Sequence, residues 1–303
     1  MSTPTAAHVV ENLDLSLKTC VITGASSGLG RESARALASA GAHVVLAARN
    51  DDAIGKTCDW IRAELPEARL SSVVVDLASL TSVGVAAQQI ADAAPVIDVL
   101  MNNAGVMFTP FSRTQDGFEM QFGTNHLGHF ALTALLQPQF VEGTRIVNLS
   151  SEGHRLGDID LADPNWQHRD YDKFSAYGAA KTANILHAVA LDQRLHNRGV
   201  RAFAVHPGMV ATNLARHMSR ADVVAVSGQA RSHAIDVLTP EQGAATQVWA
   251  AVSTGLDHSA GLYLADCTVR TDAEPYATDP DRAEELWEIS ESLCATVISS
   301  AGR

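Results

Sequence analysis

Thr19-Cys20-Val21-Ile22-Thr23-Gly24-Ala25-Ser26-Ser27-Gly28-Leu29-Gly30 is the stretch on which the fold turns. Its opening residues form a short apolar run of the kind that fills a buried strand. Glycines at 24, 28 and 30 follow, and Ser33-Ala34-Arg35-Ala36-Leu37-Ala38 then reads as a helix. The order is strand, glycine loop, helix. Glycine is needed where backbone comes close to a pyrophosphate, or where a helix packs tightly on a strand. Free N–H groups at the helix start then face the phosphates. The spacing is G-x-x-x-G-x-G, not the commoner G-x-G-x-x-G. With a strand before it and a helix after it, the stretch still reads as a dinucleotide site.

The same alternation continues outward. Apolar runs at 43–48, 71–75, 97–101, 145–149, 201–205 and 261–264 read as strands. Helical segments are expected at about 53–65, 83–94, 121–136, from Tyr177 to Leu195, at 241–252 and at 281–292. Strands that are apolar throughout, separated by helices, indicate a parallel sheet covered on both faces. The expected fold is α/β, a single-domain doubly wound (Rossmann-type) sheet of about seven parallel strands. Residues 1–16 read as a lead-in. Residues 17–303 read as one dinucleotide-binding and catalytic domain, with a substrate lid over about 209–238. Right-handed crossovers place the loops after the strands on one rim, where ligands bind.

Composition narrows the function. The chain has 303 residues, 46% hydrophobic and 18% charged, with a formal net charge of -12. That acidity, without a basic stripe, argues against nucleic-acid binding. No apolar run is long enough to span a bilayer and no signal-peptide pattern opens the chain, so no membrane partner and a cytoplasmic location are expected. Cys20, Cys58, Cys267 and Cys294 are widely spaced and read as reduced thiols.

Tyr177 and Lys181 stand four residues apart in Ser175-Ala176-Tyr177-Gly178-Ala179-Ala180-Lys181, at the start of a helical run. That spacing puts them on one face, one turn apart. A fixed ammonium beside a phenol favours the phenolate and lowers a pKa that is otherwise about 10. The pair could then move a proton to or from a substrate oxygen. Taken alone, the pair also fits a helix tyrosine with a chance lysine neighbour.

Thr23-Gly24-x-x-x-Gly28-x-Gly30, Asn102-Asn103-Ala104-Gly105, Ser151, Tyr177-x-x-x-Lys181 and Pro207-Gly208 occur in this order. Together they resemble the short-chain dehydrogenase/reductase family, over about 17–265. The long loop between Ser151 and Tyr177 is similar to the retinol-dehydrogenase and WW-domain-oxidoreductase branch. The resemblance implies that Tyr177 is the general acid/base and that Lys181 lowers its pKa and holds the nicotinamide ribose. It implies that Ser151, favoured over Ser150, bonds the reacting oxygen. It further implies that Asn125 helps place a water behind Lys181. The cofactor would be held by Gly24, Ser26, Ser27, Gly28, Leu29 and Gly30, with Tyr177 and Lys181. Asp76 and Leu77 would meet the adenine, Asn103, Ala104 and Gly105 the adenosine side, and Pro207, Gly208 and Thr212 the nicotinamide end.

Cofactor choice is read at the end of the second strand. NAD-dependent enzymes usually place an acid there to bind the ribose hydroxyls. This chain has Ala48 followed by Arg49, so NADP is expected, with NAD the alternative. Arg31 is a second candidate cation. Phe108, Leu156 and Trp166 are candidate pocket walls for a mainly apolar small-molecule substrate.

The expected reaction is hydride transfer between NADP(H) and a carbonyl or alcohol. The alternatives are reduction of an activated C=C bond, or a non-catalytic dinucleotide sensor. His126 and His129 are spaced as a metal pair, but no further ligand joins them and no metal is expected. His206 reads as structural. Arg216, His217, Arg220, Arg231 and His233 read as a solvated face, and Trp249 and Trp287 as helix core residues. The helices from Gln121 and from Tyr177, with small residues Gly128, Ala131, Ala134, Ala183 and Ala188, are the expected faces of a homodimer or homotetramer.

Overall fold

The computed structural model describes residues 3–210, 237–257 and 262–301, together with Leu214, Met218 and Asp222. Thr212, Arg216, His217, Arg220, Arg231, His233, Gly261 and most of 209–238 lie outside the described residues.

The described strands form one sheet in the order β3-β2-β1-β4-β5-β6-β7-β8. They are β1 Thr19–Thr23, β2 His43–Ala48, β3 Leu70–Val74, β4 Ile97–Asn102, β5 Phe140–Leu149, β6 Arg201–His206, β7 Tyr263–Ala265 and β8 Thr268–Arg270. The seven from β1 to β7 are parallel, as expected, whereas β8 is antiparallel to β7 and was not foreseen. Asp266 and Cys267 turn between them, both at φ 52°. Such a turn ordinarily uses Asn-Gly or Asp-Gly, so Asp-Cys gave no warning of a hairpin.

Strand residues alternate between the two sheet faces. Ile22, Leu46, Met101, Val147 and Phe203 face one apolar layer. Val21, Val45, Leu100, Ile146 and Ala204 face the other. Helix α1 (Ala6–Val9) precedes the sheet, and helices α2 (Gly28–Ser39), α3 (Asp51–Glu64) and α4 (Leu80–Ala93) link the first four strands. β1 has β2 on one side and β4 on the other, so successive crossovers leave in opposite directions. A crevice opens beyond the strand ends at that point.

The helix expected over 121–136 is broken in type. Met120–Phe122 (α5) is α-helical, Gly123–Leu127 is a π-turn, and Gly128–Leu136 (α6) is α-helical again. Buried Glu119 caps its start, its carboxylate accepting from Gln121 N at 2.9 Å and Phe122 N at 2.7 Å. An anion is favourable at that end of a helix. A Cβ on Gly128 would stand 2.4 Å from Leu77 O, so glycine lets the helix approach the end of β3.

Helix α7 (Lys173–Leu195) follows the long loop. After it, α8 is Pro240–Gly243, α9 Ala245–Val252, α10 Pro275–Thr278 and α11 Pro280–Ala301. α11 packs on α4, α6 and α7 and is longer than its expected 281–292. Trp287 meets Phe130 edge-on at 4.8 Å, Arg194 lies 4.4 Å over Trp287, and His126 Nε2 bonds Ser290 Oγ at 2.8 Å. Of the small residues expected at a dimer face, Gly128, Ala131, Ala183 and Ala188 are buried and Ala134 is half-buried. Among the described residues, no helix is long and apolar enough to cross a membrane.

Candidate active site

The glycine loop takes the shape its composition demands. Gly24 and Gly28 have φ of 67° and 53°. A Cβ on Gly30 would lie 2.5 Å from Gly24 O and 2.6 Å from Asn103 Nδ2. No side chain fits there, and the start of α2 closes directly onto the loop.

A polar network stitches this loop to the end of β4. Thr23 Oγ1 accepts from Asn103 N and Ala104 N, both at 3.0 Å, and Asn103 Nδ2 donates to Thr23 O at 2.7 Å. His129 faces Thr23 Oγ1 through Nε2 at 2.8 Å and Asn125 O through Nδ1 at 2.9 Å. A carbonyl only accepts, so the ring proton is on Nδ1 and the Thr23 hydroxyl donates to Nε2. Burial lowers the His129 pKa to about 4, which keeps the ring neutral. His126 and His129 thus serve separate partners, Ser290 and Thr23.

The cleft at the crevice is lined by Gly24, Ser26, Ser27, Gly28, Leu29, Arg49, Leu77, Asn103, Ala104 and Gly105. Gly30 lies just behind it. Asp76 does not line it; its Oδ1 accepts from Ala78 N at 3.0 Å, closing the turn after β3. Pro207 and Gly208 are also outside its lining; Gly208 has φ 84° and packs against Leu238. Asn50, Val75, Val106, Thr124 and Leu149 are lining residues that sequence reading missed. Val75 and Leu149 lie at or just past strand ends, where the crevice rule could have found them. Thr124 sits in the π-turn and had no local signal.

Arg49 is exposed at this rim and makes no ion pair among the described residues. The Asn50 side chain accepts from Ala53 N at 2.8 Å and caps α3, with Asp51 and Asp52 in its first turn. Arg31 is drawn elsewhere: it lies 4.4 Å over the Trp60 ring and 3.3 Å from Glu32. It is not among the residues that line the cleft.

At Gly105 the cleft borders Lys181, which shares helix α7 with Tyr177. Asp172 caps α7 by accepting from Ser175 N at 2.7 Å. Lys181 Nζ donates to Leu149 O at 2.9 Å. A Cβ on Gly105 would come within 3.1 Å of Asn125 Oδ1 and 3.9 Å of Lys181 Nζ, so both groups border that glycine. The Asn125 side chain is engaged by Val106, accepting from its N at 2.8 Å and donating to its O at 2.9 Å.

Two serines follow β5, and only one faces the phenol. Ser150 Oγ donates to Lys181 O at 2.9 Å and is buried against α7. Ser151 Oγ accepts from Gly153 N at 3.0 Å, and Gly153 packs directly on the Tyr177 ring. Because the Gly153 N–H fills one lone pair, the Ser151 proton is free to be donated.

The electrostatics differ from the simple pairing picture. Burial pushes Tyr177 up to about 12, with the Ser151 hydrogen bond pulling it down. Burial brings Lys181 down to about 8. Lys181 Nζ is 5.6 Å from the Tyr177 ring centroid and is directed at Leu149 O. Desolvation thus outweighs the expected help of the ammonium, and the phenol keeps its proton at neutral pH.

Phe108 stands against this phenol with φ 53°, its ring 5.0 Å from Tyr177 and 4.7 Å from Phe174, both edge-on. Its N donates to Gln121 Oε1 at 2.8 Å, which holds the left-handed backbone. Trp166 is not a wall beside Tyr177. It packs on Tyr171 at 5.3 Å and under Arg169 at 3.8 Å, in the core of the long loop. Gly153 is the functional position that sequence reading overlooked: a Cβ there would lie 2.6 Å from Tyr177 Cε1.

Comparison with known proteins agrees with this geometry. A family model described as short chain dehydrogenase matches residues 18–222. Short-chain dehydrogenase TIC 32 A, chloroplastic, of Brassica napus is 39% identical over 308 residues, covering 96% of this chain and 93% of that protein. Human Retinol dehydrogenase 14 is 39% identical over 291 residues, covering 91% of this chain and 86% of that one. The crystal structure of an uncharacterized protein from Mycobacterium Paratuberculosis superposes with a TM-score of 0.76 at 34% identity, covering 97% and 98% of the two chains.

Proposed function

The chain belongs to the short-chain dehydrogenase family of NAD(P)-dependent oxidoreductases, and we propose that it moves hydride between NADP(H) and a carbonyl or alcohol of a mainly apolar small molecule. The observation that carries this reading is the turn at Gly153, which brings Ser151 Oγ and the Tyr177 ring against one glycine, beside a glycine-walled cleft whose Gly105 borders Lys181. That cleft fits a dinucleotide: Gly24 and Gly30 leave no room for a Cβ, and the start of α2 presents its N–H groups. When bound, the nicotinamide supplies or accepts the hydride.

The chain's own residues handle the oxygen and its proton. In the reducing direction Ser151 donates to the substrate oxygen as negative charge develops there. Tyr177, protonated at neutral pH, gives its proton to that oxygen. Lys181, held by Leu149 O, is placed to bind a ribose hydroxyl and to return a proton toward Tyr177. Phe108 lies against the phenol ring and packs in turn on Phe174, an apolar surround that favours an apolar substrate. Relatives named retinol dehydrogenases are consistent with that choice. Arg49 supports NADP(H): a planar, permanently charged guanidinium that makes no ion pair among the described residues suits a 2′-phosphate.

The test is cofactor oxidation by the purified protein with NADPH and NADH, across aldehydes including all-trans-retinal, ketones, quinones and enones, with products identified. Reduction of an apolar aldehyde or ketone at C=O, faster with NADPH, is expected. Saturation of the enone C=C alone, or faster turnover with NADH, would overturn the reading.

A further inference from the structure

The turn that carries Ser151 is held from outside by a histidine that the reaction itself does not use. Ser151 starts the short helix Glu152–Leu156, and its carbonyl accepts from His154 N at 3.1 Å. The same carbonyl faces His154 Nδ1 at 2.7 Å. On the far side of the ring, Glu274 N donates to His154 Nε2 at 3.2 Å. A carbonyl can only accept and a backbone N–H can only donate. Both neighbours therefore select one tautomer, with the proton on Nδ1.

His154 is fully buried, and its own carbonyl accepts from Tyr276 Oη at 2.9 Å. Arg155 reinforces the link by pairing with Glu274 at 2.7 Å and Glu152 at 2.7 Å. The segment before α11 is thereby fastened to the serine turn across the sheet edge. We infer that His154 is a positioning residue, which as its Nδ1–H tautomer fixes the Ser151 backbone and so sets the Ser151 hydroxyl against Tyr177. The inference rests on the proposed role of Ser151.

Two measurements test it. In 15N-labelled protein at pH 7, long-range imidazole correlations, with the His154 signals identified by their loss in His154→Phe, should show a protonated Nδ1 and a bare Nε2. The opposite tautomer would overturn the inference whatever the substrate. For function, turnover of NADPH with all-trans-retinal is compared in wild type, His154→Phe, His154→Asn, Ser151→Ala and the Ser151→Ala/His154→Phe double variant. His154→Phe keeps the ring against Tyr263 but removes both ring hydrogen bonds. It should lower kcat about ten- to hundredfold, the cost of a misplacement on the order of 1 Å. NADPH affinity should stay within roughly twofold. His154→Asn retains a donor toward Ser151 O and should recover much of the loss. In the Ser151→Ala background, His154→Phe should cost nothing further. An undiminished loss in that background would show that His154 acts through general structure, and would overturn this inference alone. Wild-type turnover in Ser151→Ala would overturn the role of Ser151 and this inference with it.

Discussion

Replacing Gly153 by alanine adds one methyl group at the point where the serine turn touches the phenol. The new Cβ would lie 2.6 Å from Tyr177 Cε1, 3.0 Å from Cδ1 and 3.3 Å from Ser151 Oγ. Ordinary carbon contacts are about 3.5–4.0 Å, so the two groups must separate by about 1 Å. Gly153 is not in the left-handed region, so alanine brings no backbone strain of its own. The ring cannot retreat freely, because Phe108 stands 5.0 Å behind it. The strain therefore falls on the distance between Ser151 and Tyr177. Overpacking of this kind costs about 1–3 kcal/mol of stability. A displacement on the order of 1 Å in reacting groups costs about a hundredfold in rate, or about 2.7 kcal/mol of barrier. Steady-state kcat at saturating NADPH, with NADPH affinity from fluorescence titration, separates the two effects. The expected result is a kcat lower by about a hundredfold with affinity nearly unchanged. A Gly153→Ala enzyme with wild-type kcat would refute the claim that this contact sets the catalytic geometry.

Two further outcomes follow from the cleft and from the buried histidines. Arg49→Ala should narrow the NADPH-over-NADH ratio of kcat/KM by roughly ten- to a hundredfold, and Ala48→Asp should move it toward NADH; an unchanged ratio in Arg49→Ala would remove Arg49 from cofactor selection. Burial lowers His126 to about 3 and His129 and His206 to about 4, from an unfolded value of 6.5. The unfolded chain therefore binds more protons below pH 6.5, and the stability these rings contribute is present above that pH and lost as it falls toward 4. Each ring accounts for about 1.4 kcal/mol per pH unit within that window, so the urea midpoint should drop clearly from pH 7 to pH 5; equal midpoints would contradict neutral burial of these rings.

The parts legible in the sequence are those set by local pattern. β2 was bounded correctly because an apolar run ends at Arg49 and Asn50, and Asn50 caps the next helix. The glycine loop was legible because its glycines answer a steric need within a few residues. The spacing of Tyr177 and Lys181 was legible, whereas the direction of the Tyr177 pKa was not. Burial raises it, and Phe108 and the serine turn, which pack on the phenol ring, arrive from separate segments. The π-turn at Asn125 left no mark, because apolar spacing through 121–136 stays compatible with an unbroken helix. β8 was hidden by its three-residue length and by a turn lacking glycine. α11 was recognisable as a helix, but nothing local showed that it would cover α6 and α7. The stacking of Arg31 on Trp60 left no local mark, because Trp60 lies on the following helix.

Tyr177→Phe tests the central claim most directly, since it keeps the ring and its edge contacts and removes only the transferable proton. Turnover of NADPH with all-trans-retinal, or with the best carbonyl of the screen, should fall to near background while NADPH binding stays close to wild type. Near-normal turnover in Tyr177→Phe would contradict the account.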